Sequence, residues 1–264
     1  MTRLDHATYL RHLRTESQRF RDVVESADPR TRVPACPDWD ADDLLWHLGE
    51  VQHFWGWIVS NRPAGPGDYA KPERPEGRVE LLRFFEESSR VLATALAGAD
   101  PTDDAWTWSS EQTVGFTFRR QAHEALIHRL DAEQAVGDVT ALDPVLAADG
   151  VAETLEVMYG GCPPWGTFTP LPRHLRFDLT DTGDSVWVQL GRFTGTDPDS
   201  GSDCDEDDIA VVADPGVEAD AVVGGTAAAT DTWLWKRGDD EELSVTGDRS
   251  TYDRVRQVLS QPLN

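Results

Sequence analysis

The residues best equipped for chemistry are His47, Glu124 and His128. Glu124 and His128 are four apart in a segment patterned as a helix, so their side chains stack on one face, where Gln121 and Asp131 extend the same stripe. Two donors at that spacing can reach one metal ion without strain. His123 points about 100° away from Glu124. Taken alone, a helical Glu–His pair is usually a solvated face. His47 lies three residues after Leu44 and four before Val51, which puts it on the apolar stripe of an earlier helix. A buried imidazole needs partners, since an unpaired buried polar group costs about 1–3 kcal/mol; a satisfied core histidine is the competing reading. If the two helices are neighbours, the three residues form a His₂Glu set with one coordination position left open, as catalytic zinc sites have. Nickel, manganese or iron would accept the same donors.

The elements that must position these residues fall into two halves. Helices are expected over about residues 4–26, from Asp40 as N-cap through Leu44, Leu48, Val51, Trp55 and Ile58, over about 78–97, and over about 117–136 with Gly137 as the stop. The Pro- and Gly-rich stretch 61–77 reads as loop, as does the segment around Pro34 and Pro37. Four helices of roughly 20 residues suggest a four-helix bundle. The period then changes. Strands are expected at 175–179, 185–190, 209–213 and 219–223, with helices over about 145–158 and 226–235 and a last one opened by Asp248 or Ser250. The expected fold class is therefore all-α followed by a smaller α+β domain, with domains at 1–140 and 141–264.

Composition narrows the partners. The 264 residues carry 48 Asp and Glu against 24 Lys and Arg, a formal charge of −24, which argues against nucleic acid or an anionic membrane. The acidic runs 197–208 and 238–242 read as solvated loops. Three widely spaced cysteines, Cys36, Cys162 and Cys204, give neither a zinc cage nor a disulfide framework and suit a reducing cytoplasm. Cys36 reads as a packed loop thiol. The N-terminus has no apolar signal core, so the expected protein is cytoplasmic, a monomer or a small homo-oligomer.

The stretch VPACPDWDADDLLWHLG at 33–49 resembles the helix-two signature of the mycothiol-dependent maleylpyruvate isomerase family, and RRQAHEALIHRLDAE at 119–133 resembles its fourth-helix motif. The ending from Thr226 to Leu259 is similar to that family's C-terminal domain. The resemblance implies a DinB-like metal-binding bundle followed by an α+β domain. It also implies that a helix-two His and a helix-four Glu and His hold the metal; these match His47, Glu124 and His128. Mycothiol as the low-molecular-weight thiol comes from the resemblance alone. A metal lowers the pKa of a thiol from about 8.5, and the thiolate can then attack a small electrophile. Addition, rotation and elimination make an isomerase; addition or displacement makes an S-transferase.

A carboxylate-bearing electrophile needs a cationic clamp. Arg78, at the start of the third helix on the stripe of Leu82 and Phe85, is the candidate, while Arg83 falls among surface glutamates. Arg237 and Arg249 of the second half are candidates for holding the thiol cofactor. Two rivals remain open. The same metal could activate water in a hydrolase, or the protein could be a non-enzymatic carrier of a small ligand.

Overall fold

The computed structural model describes residues 3–263 and divides into two compact units, Leu4–Ala141 and Leu142 to the C-terminus, the latter including Arg3. The first unit holds α1 (His6–Ser26), a short hairpin of β1 (Arg32–Val33) and β2 (Cys36–Asp40), α2 (Ala41–Ser60), α3 (Arg78–Ala97) and α4 (Val114–Val136). Each helix that matters to the site has a readable start. Asp5 caps α1 by accepting from Thr8. Asp40 and Asp43 form a reciprocal capping box on α2. Thr113 caps α4, which starts at Val114, three residues before the expected start, and Gly137 ends it in the left-handed conformation.

The helices form two parallel pairs. His6 meets Phe118, Glu16 meets Arg129 and Arg19 meets Glu133, so α1 and α4 run the same way. Trp46 meets Phe84, and Gly56 lies against Leu92, so α2 and α3 do too. Between the pairs the direction reverses: Phe20 packs on Phe85, and Arg14 reaches the Ala93 carbonyl. After α2, then, the chain must travel back the full length of a helix before α3 can begin. Residues 61–77 make that return. Tyr69 packs against Trp57 and bonds His53, Lys71 pairs with Glu50, and Arg74 pairs with Asp43, retracing α2 in reverse.

The core lies between the pairs, with Phe20, Val24, Leu44, Leu45, Leu48, Leu81 and Phe85 buried in one cluster. Two expectations change here. Gln52, not Val51, is the fully buried member of the α2 stripe, and it donates to Ser17 of α1. The segment at Pro34 and Pro37 is a hairpin rather than a plain loop, and Cys36 and Trp39 of β2 pack on the core.

The second unit opens with α5 (Pro144–Glu153), continued by a π-helical turn over Thr154–Tyr159. The strands β3 (Gly166–Leu179), β4 (Ser185–Thr196), β5 (Asp203–Val212), β6 (Ala221–Gly225) and β7 (Ser244–Gly247) form one sheet in the order β5-β4-β3-β6-β7. Only β3 and β6 pair in parallel. The helices α6 (Ala227–Leu234) and α7 (Arg249–Val258) complete an α+β unit. The acidic run is a loop only in part. Asp203 to Asp208 belong to β5, where Arg192 on β4 binds both Asp205 and Asp207. No helix among the described residues is long and apolar enough to cross a membrane.

Candidate metal centre

α4 supplies two of the three donors and α2 the third. His47 Nε2 lies 3.8 Å from Glu124 Oε1, and His128 Nε2 lies 3.1 Å from the same oxygen. One donor atom from each residue falls within 4.8 Å of the others, and among the described residues this is the one such group of three. The rings of His47 and His128 meet edge to face at 4.8 Å. Donors at about 2.1 Å around a tetrahedral ion stand about 3.4 Å apart. The residues present therefore fit a small dication with modest side-chain adjustment.

Their surroundings are unequal. The His128 side chain is 8% exposed, Glu124 18% and His47 33%, so the group opens to solvent on the His47 side. His47 is thus not the buried stripe residue its spacing suggests; the Trp39 ring packs against it, tilted, with centroids 4.7 Å apart. His128 is fixed from both ends. Its Nδ1 donates to Asp131 Oδ2 at 2.9 Å and its Nε2 to Glu124 Oε1. Burial disfavours charge on this ring, but the hydrogen bonds to Asp131 and Glu124 outweigh it and raise its pKa to about 9. Burial also opposes ionisation of Glu124. The bond from His128, the approach of His47 and the charge of Arg120 prevail and hold its carboxyl well below the usual range.

Two residues of this group carry more weight than their sequence positions suggest. Asp131 is fully buried and orients His128, as carboxylates behind histidine ligands commonly do. Arg120, one turn before Glu124, is buried and donates from Nη2 to Glu124 Oε2 at 3.1 Å. Its spacing of four was the available signal.

The arginines expected to bind ligands have partners within their own units. Arg78 pairs with Asp42 of α2 and donates to the carbonyls of Val24 and Ala27, which ties the end of α1 to the starts of α2 and α3. Arg237 donates to the Trp235 carbonyl, while Arg249 pairs with Asp253 and lies over Tyr252; both belong to the second unit. Arg83 pairs with Glu80 on the surface of α3.

The sequence model of the mycothiol maleylpyruvate isomerase N-terminal domain matches residues 10–133, nearly the whole first unit and all three donors. The N-terminal unit is thus similar to that domain over most of its length. A crystal structure of a mycothiol-dependent maleylpyruvate isomerase superposes with a TM-score of 0.58, and that of its histidine-to-alanine mutant with 0.61. Each alignment covers 93% of this chain and 96% of the other at 14% identity, which establishes a shared fold through both units. No curated protein sequence matches the chain significantly.

Proposed function

We propose that the chain is a metal-dependent enzyme that uses mycothiol to isomerise a small electrophile or to transfer the thiol to it. The supporting observation is the convergence of His47, Glu124 and His128 inside a unit similar to a domain of a mycothiol-linked family. A dication bound there, zinc being the simplest choice for these donors, would supply the positive charge that lets a thiol ionise at neutral pH. The rest is the work of this chain's own residues. Asp131 holds the His128 ring so that Nε2 faces the other donors. Glu124 turns Oε1 to the histidines and Oε2 to Arg120. His47, a third exposed, marks the side from which a thiol and its electrophile approach. Arg237 and Arg249 are retained as candidates for holding the polar part of the thiol.

Calorimetric titration with mycothiol, followed by an assay on maleylpyruvate and related electrophiles, tests this reading. Thiol binding that requires the metal, with turnover of a thiol–electrophile reaction, is the expected result. Metal bound without thiol affinity would contradict it and favour activation of water for hydrolysis. Ligand affinity unaltered by His47→Ala would favour a carrier.

A further inference from the structure

Glu124 has two oxygens with different neighbours. Oε1 faces His47 and His128, whereas Oε2 is taken by Arg120. A glutamate with both oxygens free can close on a metal as a bidentate ligand and fill the fourth position itself. A guanidinium on one oxygen competes with the metal for that oxygen and draws its lone-pair density away, which disfavours bidentate binding. We propose that Arg120 is a positioning residue that confines Glu124 to a single donor oxygen and so keeps a coordination position for an anionic fourth ligand. This inference rests on the metal reading given above.

Charge supports the geometry. Arg120 is permanently charged, and its side chain is only 4% exposed beside Glu124, so its field is weakly screened and favours an anion over water nearby.

The test uses the full chain loaded with cobalt(II), whose visible absorption weakens as coordination rises from four to five. The probe thiol is 2-mercaptoethanol, followed by its sulfur-to-cobalt charge-transfer absorption. Wild type is expected to bind one cobalt and then the thiol with a four-coordinate spectrum. Arg120→Met should still bind one cobalt, show the weaker five-coordinate absorption, and bind the thiol about tenfold or more less tightly. Arg120→Lys, which keeps the charge, should recover much of that affinity; if Arg120→Met does not fold, Arg120→Gln takes its place with the same readouts. A wild-type spectrum and thiol affinity in the neutral variant would overturn the inference while leaving the metal reading intact. Loss of cobalt from both folded variants would overturn it as well, since Arg120 would then support Glu124 instead of limiting it. Wild type that takes up no cobalt would sink both.

Discussion

His128 donates to Asp131 through one nitrogen and to Glu124 through the other, and both acceptors are carboxylates, so the ring carries two protons in the absence of a metal. The sign of the pH dependence follows. Its pKa of about 9 lies above the ordinary 6.5, and a metal can bind only after the Nε2 proton leaves. Metal affinity should therefore fall about tenfold for each pH unit below 9 and level off above it. Competition with a chelator between pH 6.5 and 9.5 would show this, and a flat profile would contradict it. Asp131→Asn keeps the shape but loses the charge behind His128, and is expected to weaken metal binding about 10–100-fold in the same assay. An unchanged affinity would mean that Asp131 only fills space. The spacing of Glu124 and His128 was legible as one helical face, and His47 became legible through the motif at 33–49. Asp131 could be placed on the stripe but not given its task. Arg78 could be placed facing inward at the start of α3, but its partners at Asp42 and at the end of α1 could not be read.

At the scale of elements, α4 is held at its far end by a buried charge cluster. Arg129 binds Glu16 and Glu133, and Glu133 also takes Arg19 and the backbone and hydroxyl of Thr140. Burial raises the pKa of Glu133, but the Thr140 amide and the two arginines more than compensate and leave it lowered. A lowered carboxyl contributes stability that is complete above its unfolded value near 4.5 and is lost as pH falls through the folded value. Glu133→Ala leaves the buried Arg129 with Glu16 as its carboxylate partner but removes the bonds to Arg19 and Thr140, and should cost about 1–3 kcal/mol. Thermal melts at pH 7 check the cost, and melts from pH 5 downward should show the mutant losing less stability on acidification than wild type. Equal loss in the two proteins would count against the cluster. α2, opened by its capping box, and α3, bounded by Gly77 and Gly98, were readable to within a residue or two. α4 began earlier because Thr113 caps ahead of the apolar pattern, and the acidic half of β5 was hidden because its strand is paid for by Arg192 across the ladder rather than by apolar alternation. The parallel course of α2 and α3 was not readable, for it depends on where residues 61–77 dock.

For the whole molecule, the change of period near residue 140 carried the fold class: helices in the first unit, a mixed sheet with helices in the second. The charge of −24 acts on the whole surface. Its self-repulsion favours the expanded chain and is screened by salt over about 10 Å at 0.1 M. Melting temperature should rise between 0.01 and 0.5 M sodium chloride, and a fall would mean that the surface ion pairs outweigh the excess of acid. The central claim concerns one site in the first unit. Elemental analysis of the purified wild type and of His128→Ala, each reconstituted with zinc and dialysed, tests it most directly. The expected result is one zinc per chain in the wild type and none in the mutant, with both proteins folded. Wild type that retains no zinc, or a mutant that retains as much, would contradict the assignment of His47, Glu124 and His128 as a metal centre.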